Sequence, residues 1–265
     1  MPDPIIIPNK QFGKKAAVVD PRVPKFSMVQ KRLVAPAPSA NWFAAVGEWG
    51  VLANNNYGCC VQAMCFHALL QFSTYAEAPI TPLDSDVLKL YEQQGYVPSD
   101  PTTDNGSYVL GPTGVLPYWH TTGIMCDGAL NKLTAFLQIS ETNPDAWKQA
   151  IFTFGGIGIG MNLPKYIVEP QETPYVWDVQ GGVPAATAGG HEVWSDGYMT
   201  EVGEDLFEFV SWGERFRMTK AFMLQYVDET VVLYDRASLN PQGVDARGLP
   251  EHELLSLMSG LSGIA

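Results

Sequence analysis

Cys60 and His191 are the side chains of this sequence whose types and surroundings combine into a chemistry, attack by a thiolate with a histidine as base. Cys60 ends the stretch Leu52-Ala-Asn-Asn-Asn-Tyr-Gly-Cys-Cys60, and apolar residues recur at helical spacing from 61 to 72. The three asparagines and Gly58 predict a loop of unusual backbone angles. A cysteine in the first turn of a helix meets unpaired N–H groups and the positive end of the helix dipole, which favour the thiolate. Asn54, six residues upstream, carries an amide suited to donate to an oxyanion forming beside Cys60. The commoner role of a cysteine at a helix start is that of a small core hydrophobe, so the assignment depends on finding a base.

The chain has four histidines. His67 follows Cys60 by seven residues and reads as a packing histidine on a similar helix face. His252 opens a C-terminal helix and reads as surface. His191 stands in Ala188-Gly-Gly-His-Glu-Val-Trp-Ser-Asp-Gly-Tyr198, where a glycine pair leads into a strand, and a second strand follows as Leu206-Phe-Glu-Phe-Val-Ser-Trp-Gly213.

On these motifs the sequence resembles the papain-like cysteine peptidases. Within them it is most similar to uncharacterised proteins of bacterial and phage genomes whose turn reads Gly-Asn-Asp-x-Tyr-Gly-Asp-Cys. The resemblance covers roughly residues 48–235 and keeps its order along the chain. It places Cys60 at the nucleophile, Asn54 at the oxyanion-hole glutamine and His191 at the general base. Ser211-Trp212-Gly213 matches the Ser-Trp-Gly that follows the asparagine orienting the histidine, and Leu116-Pro-Tyr-Trp-His-Thr-Thr-Gly-Ile124 matches a short helix that makes His120 a helix-face residue. The position of the orienting asparagine itself is Val210, which cannot hydrogen-bond an imidazole. Ser211, Glu192 and Glu208 are the candidates for a replacement third group.

The resemblance implies an α+β fold in which a helical subdomain packs against a small antiparallel β-barrel, with the cleft between them. Residues 1–45 are expected to form a Pro-rich extended arm, 46–235 the papain-like domain (46–140 helical, 141–235 β) and 236–265 an appendix with a short helix. Pro2, Pro4, Pro8, Pro21, Pro24, Pro36 and Pro38 deny the arm long helices. Its apolar residues Ile5, Ile6, Ile7, Val18, Val19, Val23, Phe26, Leu33 and Val34 are expected to bury against another surface. Expected strands include Ile157-Gly-Ile-Gly-Met161, 192–198, 206–212 and Thr230-Val-Val-Leu-Tyr234. Glycines 181, 182, 189 and 190 serve either hairpin turns or close approach to an extended substrate.

With 265 residues, 46% of them hydrophobic, the chain is large enough for a real core. A net charge of −12 opposes binding to nucleic acid or to an anionic membrane. The basic residues cluster between 10 and 32. The N-terminus lacks the basic start and long apolar core of a signal peptide, so a cytoplasmic location is expected, or a virion if the protein is phage-borne. The four cysteines form no C-x-x-C pair, and neither a disulfide nor a zinc site of Cys59, Cys65, His67 and Cys126 has support in the spacing. No metal or cofactor is expected.

The resemblance implies acyl transfer on a peptide or amide substrate, with Cys60 attacking, His191 shuttling the proton and Asn54 steadying the oxyanion. The alternative is a papain-fold structural component of a phage particle, tail, baseplate or capsid-associated, with weak or no activity. In that role the arm would serve self-association or attachment to neighbouring proteins.

Overall fold

The computed structural model describes residues 4–140, 142–170, 172–181, 185–245 and 250–258. Pro2, Gly182 and the end of the appendix, 259–265, lie outside them. The arm contributes β1 (Ile5–Ile6), α1 (Ser27–Gln30) and β2 (Ala40–Asn41). Next come α2 (Cys60–Tyr75), α3 (Asp84–Gln93), α4 (Val115–Thr121), β3 (Ile124–Cys126), β4 (Ala129–Asn131), β5 (Ala135–Ile139) and α5 (Pro144–Phe154). The remainder holds β6 (Ile157–Pro164), α6 (Lys165–Val168), β7 (Glu172–Thr173), β8 (Val176–Trp177), β9 (Thr187–Glu201), β10 (Glu204–Ser211), β11 (Glu214–Thr219), α7 (Lys220–Tyr226), β12 (Val227–Tyr234) and α8 (Glu251–Met258).

α2 is buried on nearly every face, which is why its sequence is apolar all round rather than striped. Gln71 accepts from the Trp194 indole at 2.7 Å and so ties α2 to β9. α5 has conventional ends. The Asn143 side chain caps its first turn, Pro144 occupies the first helical position, and Gly155 closes it in the left-handed conformation at φ 85°.

The main sheet has eight strands, in the order β5-β12-β6-β9-β10-β11-β8, with β2 added against β9. All its pairings are antiparallel except β11 with β8. The expected barrel is not closed: among the described residues β5 and β8 end the path without pairing to each other. The arm explains one open edge. Phe26 donates its N–H to the Gln138 carbonyl at 2.8 Å and Gln138 donates to the Pro24 carbonyl at 3.0 Å, so the outer side of β5 is covered by chain, not by another strand of the sheet.

Two clusters of buried apolar side chains flank this sheet. One holds Trp147, Trp177, Phe207, Phe209 and Phe222; the other surrounds α2 with Trp119, Trp194 and Val210. The arm feeds both, Phe26, Val29 and Ile7 entering the first and Val23 the second. Ile5 and Leu33 are partly buried, whereas Ile6, Val19 and Val34 are exposed, so the arm docks through some of its apolar residues and not all. Leu254 of α8 reaches the first cluster.

Candidate active site

The turn before Cys60 is strained, but not where its asparagines predict. Leu52 and Ala53 take the left-handed conformation, at φ 54° and 61°, a cost on the order of 1–3 kcal/mol each for residues with a β-carbon. Asp84, at the start of α3, holds the strained turn by accepting the Ala53 N–H at 2.9 Å. Asp104 fixes its far end, accepting the Gly58 N–H at 2.8 Å and the Tyr91 hydroxyl at 2.7 Å. Two carboxylates from outside the turn therefore set the path by which the chain enters α2.

Cys60 is the first residue of α2 and is 1% exposed. The backbones of Glu192 and Gly13 hydrogen-bond to its sulfur, which places it against the residue that follows His191 in β9. Burial, reinforced by the nearby charge of Glu192, pushes the thiol up to about 12 despite those hydrogen bonds and the charge of Lys14. The helix N-terminus contributes about 0.3–2 kcal/mol, less than this desolvation, so the sulfur in this conformation is a neutral thiol.

His191 is also 1% exposed, and burial pushes its pKa down to about 3. The ring stacks on Trp212 at 4.5 Å and receives Phe12 edge-on at 5.9 Å. Nε2 lies 2.7 Å from Ser211 Oγ, whereas Nδ1 is buried with no hydrogen-bond partner among the described residues. A buried N–H without an acceptor costs more than a bare lone pair, so the proton belongs on Nε2, donated to Ser211, and Nδ1 is a free acceptor. Of the candidate third groups, Ser211 is the one that hydrogen-bonds the imidazole. Val210 points away into the cluster around α2, Glu208 binds Arg217 Nε at 3.0 Å, and Glu192 faces Lys14.

Asn54 is buried beside the turn and donates to the Tyr57 carbonyl at 3.1 Å and to the Gln11 carbonyl at 3.5 Å. Trp212 Nε1 donates to the same Gln11 carbonyl at 3.3 Å. Gln11 belongs to the arm, which passes between the Cys60 turn and the His191 strand. Gly13 and Lys14 both donate their N–H to the Gly190 carbonyl, at 3.2 and 3.0 Å, and on the other side Ser107 donates to Gly13 at 2.7 Å and accepts from Lys15 at 2.9 Å. Glycines at 13, 58, 106 and 190 make this passage possible, since a β-carbon on any of them would stand within 3 Å of backbone atoms on the opposite chain. Gly190 therefore serves close backbone approach rather than a hairpin turn.

The arm segment 11–15 and Ser107 are the residues that sequence reasoning missed. The available signal was a glycine, Gly13, beside Lys14 and Lys15 in a proline-rich stretch. The other histidines stand apart: His67 Nε2 is 3.0 Å from the Gly50 carbonyl and His120 Nδ1 is 2.8 Å from that of Leu133. All four cysteines are free and buried, and no group of three or more His, Cys, Asp or Glu among the described residues is placed to hold a metal ion. No helix among them is long and apolar enough to cross a membrane.

No model of a known family and no curated protein sequence matches the chain. Solved structures do. Xylellain, a cysteine protease from Xylella fastidiosa, superposes with a TM-score of 0.65 at 13% identity, over 87% of this chain and 99% of that one. The Amb a 11 cysteine protease of ragweed pollen, in its proform, gives 0.59 at 12% identity, over 83% and 71%. Digestive procathepsin L 3 from the larval midgut of Tenebrio molitor gives 0.58 at 12% identity, over 85% and 76%. With its mixed helix and sheet content and these neighbours, the chain has the fold of the papain-like cysteine proteases.

Proposed function

We propose that the protein is a cysteine peptidase or amidase acting by acyl transfer, held closed by its own N-terminal arm. The observation that carries this is the 2.7 Å bond from His191 Nε2 to Ser211, which fixes the ring and leaves Nδ1 as an acceptor on the strand that packs against Cys60. With the arm withdrawn, water reaches the sulfur and its desolvation falls. Nδ1 then takes the Cys60 proton, and the thiolate attacks a carbonyl carbon. Asn54 Nδ2 and the Cys60 backbone N–H receive the oxyanion, and His191 returns the proton to the departing amine. Water, deprotonated by the same imidazole, then releases the acyl group from sulfur. Ser211 is uncharged and stabilises an imidazolium less than a carboxylate would, which points to modest turnover.

The likeness of the Cys60 turn to bacterial and phage proteins supports a similar origin. One observation favours the alternative, a structural component using the same fold: the arm fills the cleft with backbone hydrogen bonds on both sides and buries Cys60. The exposed Ile6, Val19 and Val34 would then be the surface for self-association or attachment. The two are separated by peptide hydrolysis in the full-length Gly13→Ala variant, whose arm is displaced by the new methyl group. Hydrolysis that disappears in the Gly13→Ala, Cys60→Ala double variant supports the enzyme. No hydrolysis from a variant whose arm has become protease-sensitive rejects it.

A further inference from the structure

We propose that Glu192, Glu229 and Asp228 form a specificity pocket for a lysine or arginine side chain of an incoming peptide, now occupied by Lys14 of the arm. The proposal rests on the peptidase reading above. Three neighbouring strands build the pocket: Gly160 of β6 is paired with Glu192 of β9 on one side and Glu229 of β12 on the other. Two carboxyl groups therefore flank a position that has no side chain. The lysine stem fills it, since a β-carbon on Gly160 would stand 2.0 Å from Lys14 Cε and 2.6 Å from Glu192 Oε2.

The Lys14 side chain is 1% exposed, with Nζ 2.9 Å from Asp228 Oδ1, 3.7 Å from Glu229 Oε2 and 3.2 Å from the Lys15 carbonyl. Asp228, 26% exposed at the side chain, stands at the rim, where Asn162 Nδ2 holds its other oxygen at 3.0 Å. The Glu192 carboxylate is 97% buried by residue, and neither of its oxygens has a hydrogen-bond partner among the described residues. One ammonium leaves that acceptor capacity unused, and a guanidinium, with five N–H donors, has more to offer it. Fastening the arm alone would need a single surface carboxylate; the structure instead commits three carboxyl groups and a glycine to one buried cation. The residue selected is the one whose backbone lies along Ser107, as Lys14 does now.

The test uses the full-length Lys14→Ala variant, which leaves a propyl-sized space before the carboxylates. Melting is followed with added n-propylammonium, n-propylguanidinium, propanol or propionate. A saturable rise in Tm with the two cations only, lost when Glu192→Gln and Glu229→Gln are added, supports the pocket. No rise, or an equal rise with propanol, overturns it. Lys14→Ala is then combined with Gly13→Ala, which displaces the arm, and the double variant is given a peptide library. Cleavage at least tenfold faster for peptides with Lys or Arg at one fixed position supports the assignment, and cleavage indifferent to charge overturns it. Cation binding without any cleavage retains the pocket and counts against the peptidase.

Discussion

Gly13 lies so close to Gly58 that a β-carbon on it would stand 1.7 Å from the Gly58 carbonyl oxygen. The neighbour is backbone at the entry to α2 and has nowhere to yield. Gly13→Ala is therefore expected to lift the arm locally while Phe26 and Val29 keep its later part docked. Overpacking of this kind costs about 1–3 kcal/mol, so exchange of the 13–15 amides should rise on the order of tenfold or more. Hydrogen exchange resolved by residue checks this, with unchanged protection in α2 as the control.

Ser211→Ala removes the acceptor of the His191 Nε2–H inside the protein. The orphaned group should cost about 1–3 kcal/mol of stability, read from urea unfolding. In the arm-displaced background it should also lower kcat/KM by at least about tenfold through loss of ring alignment. Ser211→Thr, which keeps the hydroxyl, should restore both. Equal rates for the Ala and Thr variants would mean that Ser211 does not orient the base.

His67 gives the protein a specific acid sensitivity. Burial pushes its pKa down to about 4, against the hydrogen bonds that its ring donates to the Gly50 and Trp49 backbone. Between pH 6.5 and about 4 the unfolded chain binds this proton and the folded chain does not, so the contribution of His67 to stability is present at neutral pH and is lost as the pH falls through that window. His191 acts in the same direction, down to about 3, while Asp196, pushed up to about 6 by burial beside Arg215, acts in the opposite one. His67→Gln, whose amide can still donate to the Gly50 carbonyl, isolates the effect. It should reduce the loss of stability between pH 7 and 4 by about 3 kcal/mol relative to the unchanged chain, measured by urea unfolding at each pH.

The start of α2 at Cys60 and the strands containing 157–161, 192–198, 206–212 and 230–234 were legible in the sequence, because turn residues and period-two patterns act locally. Sheet closure was not, because whether β5 finds another strand or is covered depends on Pro24 and Phe26, more than a hundred residues away in sequence. Nor was the role of Ser211. Matching by order assigned the orienting position to Val210, but a register shift between Glu208 and Phe209 in the β9–β10 pairing changes which side chains face the histidine. The strain at Leu52 and Ala53 was hidden for a similar reason, since Asp84 holds it from another helix. The passage of the arm through the site involves glycines 13, 58, 106 and 190, which are ordinary singly and meaningful only together.

Closure by the arm over a competent Cys60–His191 pair is tested most directly by the rate at which each of the four cysteines reacts with iodoacetamide, followed by mass spectrometry in the unchanged protein and in Gly13→Ala. With the arm in place, burial keeps Cys60 a neutral thiol, so it should react no faster than Cys59, Cys65 and Cys126. In Gly13→Ala, Cys60 alone should accelerate, and His191→Ala should abolish the gain. Rapid reaction of Cys60 in the unchanged protein, or acceleration in Gly13→Ala that is shared by all four cysteines or persists without His191, would contradict the account.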